Sequence, residues 1–299
     1  MEPMADRPLR VTVALMLLAV IVVLAPGRGR AAPPAVATVD WTLAETLLGL
    51  GVTPLAVAQV DAYRAWVSEP RLPDSVADLG LRMQPNMERL ARLAPDRILI
   101  SRMFTSLTPR LERIAPVSEF ALYTPDSDTW EQMLALTRRL GTLVDREAAA
   151  ERLIRRTREV FADCRGRIAG RDVRPLLMVQ FMDARHVRVF GENGLYQVVL
   201  DRLGLHNAWP GPTNYWGFSL VGLEALAGID ARIVVIEPFP AGVERALADN
   251  GLWQSLPSVA RGDVVRLPPV WSFGALPSAR RFARYLVDAL DHGQPEDAH

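Results

Sequence analysis

The sequence predicts an α/β protein of two related lobes joined by one long interdomain helix. Three observations carry this. Strand and helix signals alternate in two separate segments, a Pro-free helical stretch lies between them, and the second segment repeats the design of the first. With 299 residues, 49% of them hydrophobic, the chain can build two cores.

The first lobe, residues 36–143, begins with the β-branched run "AVATVDW" and the helix "TLAETLLGLG". There Thr42 and Glu45 have capping-box spacing, and Gly49 and Gly51 close the helix. "PLAVAQV" and "RILIS" read as strands around the helix "NMERLARLAPD", and "LERIAPVSEFAL" and "TWEQMLALTRRLGTLV" continue the alternation. The linking segment, 144–170, holds Asp145 to Ala169, in which Leu153, Ile154, Val160, Phe161, Cys164 and Ile168 follow a helical period. A helix of that length spans about 37 Å, long enough to cross between lobes.

The second lobe, residues 171–295, opens with the strands "PLLMVQFMD" and "VRVFG". "GLYQVVLDRLGLHNAW" echoes "TLAETLLGLGVTPLAVA". "VGLEALAGIDARIVVIE" echoes "PNMERLARLAPDRILIS", a Glu-rich helix start followed by an Ile/Val strand.

Residues 1–31 read as a secretory signal. Arg7 and Arg10 precede an apolar run from Val11 to Ala25, broken only by Thr12, and Pro26-Gly27 ends it. The run is shorter than the roughly 20 residues of a membrane span. Cleavage is expected after Ala31 or Ala32, and no Cys stands there to carry a lipid. Four Arg and two acidic residues fall in this leader, which leaves 30 basic against 32 acidic groups. That balance argues against a nucleic-acid partner.

All 34 basic residues are Arg, which excludes chemistry that needs a Lys amine. The one Cys, Cys164, permits no internal disulfide and reads as a packing residue. "GFSLVG" has one residue too many for a nucleophile elbow, and "GLGVTP" lacks the third Gly of a dinucleotide fingerprint. His186, His206, His292 and His299 have no metal-ligand spacing; His186 reads as a hairpin-turn residue and His206 as a cap or core partner. The expectation is a binding protein, not an enzyme.

Its tools are aromatic and Arg-bearing loops. "GPTNYWGFS" sets Tyr215, Trp216 and Phe218 among turn-forming residues. "AYRAWVSEPRLPDSV" offers Trp66, and "DLGLRMQPN" offers Arg82. "SRMFTSLTP" offers Arg102 and Phe104 just past one strand, and "PPVWSFGALP" offers Trp271 and Phe273 just past another. Open α/β folds bind ligands beyond the carboxyl ends of their strands, so both lobes are expected to feed one cleft.

The motifs "WVSEP-LPDSV", "GLR--PN", "RIAP", "RPLL", "NAW-G-TN-WG" and "P-VW--GA" resemble, in order, those of the periplasmic ferric-hydroxamate (ferrichrome) siderophore-binding proteins of bacterial ABC importers. The resemblance runs from about Val36 to Leu290. It implies the helical-backbone, class III binding-protein fold, with little closure on ligand. It implies that Arg82 contacts hydroxamate oxygens and that Trp66, Trp216 and Trp271 line the site. Phe104 and Phe273 stand where the family has Tyr. At Phe104 this removes a ligand hydrogen bond, typically worth ~0.5–1.5 kcal/mol, which Arg102 is the candidate to replace. The resemblance also implies that acidic residues at the lobe tips dock on the inner-membrane permease. Glu224 matches on the second lobe; on the first the position is Pro109, and Glu112 is the substitute.

Three hydroxamates fill the shell of Fe³⁺, so no cofactor and no protein metal ligand is expected, and the aromatics would cover the rest of the chelate. A tri-anionic catecholate complex would need several Arg; Arg82 and Arg102 are the candidates. The resulting expectation is a monomeric periplasmic protein that passes a ferric siderophore to an ABC permease. Cobalamin or haem, with Tyr215 as axial candidate, an exported siderophore esterase acting through Ser219, and a module that binds a protein partner through the cleft are the rival readings.

Overall fold

The computed structural model of the chain describes residues 34–125 and 128–292; the proposed signal segment lies outside them. β1 (Val36–Thr38) is buried throughout and runs into Asp40, whose carboxylate accepts from the Thr42 and Leu43 amides and so caps α1 (Trp41–Gly49). The expected Thr42–Glu45 capping box does not form. Thr42 donates to the Phe273 carbonyl at 2.8 Å and accepts from Trp271 Nε1 at 3.0 Å. Glu45 is fully buried and accepts from the Ala275 amide at 2.7 Å and the Ser278 hydroxyl at 2.5 Å. Both side chains serve the opposite lobe, and Asp40 takes the cap.

The chain continues through β2 (Ala56–Val57), α2 (Val60–Trp66) and β3 (Ala77–Asp78) to a tight hairpin of β4 (Gly80–Leu81) and β5 (Gln84–Pro85). Asn86 caps α3 (Met87–Leu93), which leads to β6 (Arg97–Ser101). A 3₁₀ turn (Arg102–Leu107) and α4 (Thr108–Leu111) carry it to β7 (Val117–Phe120). The five strands are ordered β3-β2-β1-β6-β7 and all pair in parallel.

Asp128 caps α5 (Thr129–Leu143), and α6 (Glu147–Ile168) follows as the long linking helix. Its buried stripe includes Leu153, Ile154, Phe161, Cys164 and Ile168, the apolar period read from the sequence. The second lobe has β8 (Leu176–Phe181), β9 (His186–Phe190), α7 (Leu195–Leu203) and β10 (Phe218–Gly222). It goes on through β11 (Arg232–Ile236), short helices α8 (Val243–Ala248), α9 (Gly251–Ser255) and α10 (Pro257–Ala260), and β12 (Val264–Leu267) to α11 (Leu276–His292). Its strands are ordered β10-β9-β8-β11-β12.

The lobes are related but not copies. β8, β11 and β12 pair in parallel, as β1, β6 and β7 do. On the other side of β8 the antiparallel strands β9 and β10 stand where lobe 1 has parallel strands. The echo of the α1–β2 step survives as a single parallel bridge, Leu176 to Asn207. The expected helix before β11 shrinks to one 3₁₀ turn, Leu223–Leu226, whose two leucines are buried. His186 opens β9 at the hairpin and faces Asp183 at 2.9 Å, while His206 is exposed and does not join the core.

One apolar cluster runs through both lobes, from Val36 and Leu43 through Phe161 to Leu176 and Phe282. α11 packs on α6 and α7 and also reaches α1. Polar bonds reinforce the seam. Tyr123 donates to the Gly274 carbonyl, Thr129 to the Asn193 carbonyl at 3.0 Å, and Arg281 to the Val67 carbonyl at 2.8 Å. The long linking helix α6 is thus reinforced by α11 and by a hydrogen-bonded seam. Among the described residues no helix is long and apolar enough to cross a membrane.

Candidate ligand-binding cleft

The carboxyl ends of β1, β6 and β7 and the loop after β12 converge on a cavity of about 200 Å³ that opens to solvent. Arg82 projects into it from the β4–β5 turn, where Gly80 takes φ +74°, a conformation that favours glycine. The guanidinium lies 4.5 Å from the Trp41 ring centroid, 5.0 Å from Phe104 and 5.5 Å from Trp271. Its Nε donates to the Val39 carbonyl at 3.2 Å, and Asp40 stands 3.9 Å away. Burial lowers the Arg82 pKa, opposed by the Asp40 charge. Asp40 is itself held by its two cap amides and by the Ser101 hydroxyl at 2.6 Å. The result is a cation fixed in place, with several of its five N–H donors left for a ligand.

The opposite side of the cavity is aromatic. Trp216 meets Tyr123 at 6.1 Å and Phe273 at 5.7 Å, and Trp271 meets Phe273 at 5.2 Å between ring centroids. Trp271 is fixed twice, by its bond to Thr42 and by Trp41 at 4.9 Å. Arg102 sits at the rim, mostly exposed, 3.8 Å from Glu119.

Of the nine residues singled out from the sequence, Arg82, Arg102, Trp216, Trp271 and Phe273 line this cavity. The other four stand behind or beside it. Phe104 is fully buried in the lobe 1 core and serves as a platform under Arg82, because the 3₁₀ turn that carries it packs inward. Trp66 ends α2 and packs on the cluster around Tyr63 and Val67. Phe218 packs on Phe190 and Phe273, and Tyr215 is 52% exposed beside Trp216. Glu112, at the end of α4, and Glu224, just after β10, are both exposed.

Sequence reading missed Asp40, Tyr123 and Arg188. Arg188 was legible: it is a charge in the middle of the β-branched strand "HVRVF", between the buried Val187 and Val189. Its guanidinium lies 5.1 Å from the Phe218 centroid and 5.6 Å from Phe273, and it lines the same cavity as Arg82. The count of two cleft arginines therefore becomes three. Tyr123 follows β7 with φ +58°, which turns its ring into the seam.

Ser219 donates to the Pro212 carbonyl and not to an imidazole. Among the described residues no group of three or more His, Cys, Asp or Glu converges to hold a metal.

Residues 36–270 match the sequence profile of the periplasmic binding protein family. The chain is 36% identical over 263 residues to the iron(3+)-hydroxamate-binding protein FhuD of Escherichia coli K12, covering 86% of this chain and 87% of that one. It is 26% identical over 252 residues to the achromobactin-binding periplasmic protein of Dickeya dadantii, covering 78% and 77%. Among solved structures, the siderophore-binding protein FhuD of Vibrio cholerae with Fe³⁺–Desferal bound superimposes with a TM-score of 0.82 at 29% identity, covering 88% of this chain and 99% of that one.

Proposed function

The chain belongs to the periplasmic binding protein family, and from that premise we propose that it captures a ferric hydroxamate-type siderophore in its cleft and delivers it to an inner-membrane ABC permease. The observation that carries this reading is Arg82, a cation fixed on three aromatic rings and facing an aromatic wall. Hydroxamate oxygens bound to iron keep lone pairs directed outward, and a guanidinium fork meets them with parallel N–H donors. Trp216, Trp271 and Phe273 then cover the organic part of the chelate. The siderophore holds the iron, so the protein supplies shape and donors and no metal ligand.

Capture in this reading needs little lobe motion, because the seam bonds of Thr42, Glu45 and Tyr123 join the lobes directly beside the cavity. Glu112 and Glu224 are the proposed permease contacts, one on each lobe. The mature protein would be a periplasmic monomer after removal of residues 1–31.

The test is a tryptophan-fluorescence titration of the mature protein with ferrichrome, with haem and cobalamin as comparators. Saturable quenching by ferrichrome at about micromolar concentration or below is expected, since Trp216 and Trp271 line the cleft. A response to haem or cobalamin and none to ferrichrome would replace the ligand. Turnover of a siderophore ester that Ser219→Ala abolishes would replace the activity.

A further inference from the structure

A second groove lies where α5, α6 and α7 meet. Its volume is about 590 Å³, and it shares no lining residue with the cleft. Trp130 at the start of α5 and Phe161 on α6, with ring centroids 5.5 Å apart, give it an aromatic floor. Ala162, Gly166 and Ala169 continue that floor along an exposed strip of α6 and its end.

Three arginines rim this apolar floor: Arg158, Arg165 and Arg202. Arg202 is the fixed one. Its guanidinium lies 4.3 Å from the Trp130 centroid, and its Nη1 donates to the Val198 carbonyl at 3.3 Å. That one bond leaves most of its five N–H donors for a ligand. Arg158 and Arg165 stand seven residues apart on α6, about 10 Å along the helix. Among the described residues none of the three forms an ion pair with a carboxylate, whereas Arg138, Arg155 and Arg167 on or beside the same helix all do. The acidic groups nearby are engaged elsewhere: Glu151 takes Arg138 at 2.7 Å, Asp128 caps α5, and Asp201 takes Gln197 at 2.6 Å. An apolar cover alone would strip water from the arginines and return no partner, and a bare anion would leave the floor wet. An occupant that meets both demands carries an apolar body and a negative charge.

We propose that this groove is a second ligand site, which binds an amphipathic organic carboxylate with its apolar body on Trp130, Phe161 and the small residues of α6 and its carboxylate on the arginine rim. The site is separate from the cleft, and the proposal stands whichever ligand the cleft takes.

The experiment titrates the mature protein with decanoate by calorimetry. 1-Decanol supplies the same tail without the charge, and acetate supplies the charge without the tail. One saturable site for decanoate is expected, with Kd on the order of 100 µM, at least tenfold tighter than either comparator and weakening as salt is raised. Gly166→Leu fills the groove from its floor. A Cβ at Gly166 would meet nothing within 4 Å, and Leu suits a helix better than Gly. This variant is expected to lose decanoate affinity at least tenfold while its melting temperature holds or rises. Arg158→Gln combined with Arg165→Gln changes two exposed side chains; it is expected to lose about fivefold for decanoate, to leave 1-decanol unchanged and to flatten the salt dependence. Absence of decanoate binding to wild type would overturn the proposal. So would equal affinity for decanoate and 1-decanol, which would mean that the groove does not read charge. Affinity that both variants leave unchanged would seat decanoate elsewhere and overturn it too.

Discussion

Each wall of the cleft holds an arginine against aromatic rings, and the two differ in what surrounds the charge. On lobe 1, Arg82 is held by the Val39 carbonyl, by Asp40 and by the rings of Trp41 and Phe104, with Trp271 reaching it from lobe 2, and Asp40 is itself fixed by α1 amides and Ser101. On lobe 2, Arg188 lies on Phe218 and Phe273 with only a long contact to Gln180, and Tyr215 beside it is exposed. The first wall is preorganised and its charge is compensated within the protein. On the second wall no carboxylate among the described residues pairs with Arg188, and its side-chain contact to Gln180 is long at 3.5 Å.

The largest effect expected from breaking this asymmetry is on the lobe 1 side. Arg82→Ala is expected to lose about 3 kcal/mol, roughly a hundredfold in Kd, for every ferric hydroxamate, because the charge-assisted bonds go and Asp40 is left unpaired. Phe104→Ala, measured by the same titration, is expected to cost less affinity than Arg82→Ala, since Phe104 lies behind the wall. Equal losses would mean that the ring and not the cation anchors the ligand.

The seam that holds the walls together is expected to depend on pH. Glu45 is buried, and desolvation pushes its pKa from 4.5 up to about 7, against the pull of Arg281 and the Ser278 and Ala275 bonds. The folded state then binds the proton more tightly than the unfolded chain. The stability it contributes is present below pH 4.5 and is lost as pH rises through about 7. Denaturant melts of wild type are expected to lose about 3 kcal/mol over that range from this group, and Glu45→Gln is expected to flatten that part of the curve. An unchanged slope in the variant would assign the pH dependence elsewhere.

Trp216→Ala, on the lobe 2 side, is expected to cost about 1 kcal/mol of affinity and to remove much of the fluorescence change, as one ring of a shared aromatic wall. Glu112→Ala and Glu224→Ala are expected to leave ligand affinity within twofold and to reduce transport in cells, because both are exposed. A change in ligand affinity would place them in the site instead.

What was legible in the sequence was periodic or local. The alternation of β1, β6, β8 and β11 with helices, the apolar stripe of α6 and the loop character of Trp216 and Trp271 all depend on near neighbours in the chain. What was not legible depends on distant contacts. Thr42 and Glu45 have the spacing of a cap, but their partners lie 229 to 233 residues away. Phe104 follows a strand end, as a site residue would, yet its turn packs into the core. The hairpin into β9 was legible at His186, whereas β10 was hidden because its short run Phe218–Gly222 has no clear period of its own. Arg188 could have been noticed from its place between two valines, but only the sheet shows that its face of β9 opens on the cleft.

The central claim is most directly tested by a crystal structure of the protein with ferrichrome. The account predicts the complex in the cleft with Arg82 nitrogens about 3 Å from hydroxamate oxygens, Trp216 and Trp271 against the peptide ring, and no protein atom bound to iron. A ligand seated away from Arg82, or iron held by a protein side chain, would contradict it.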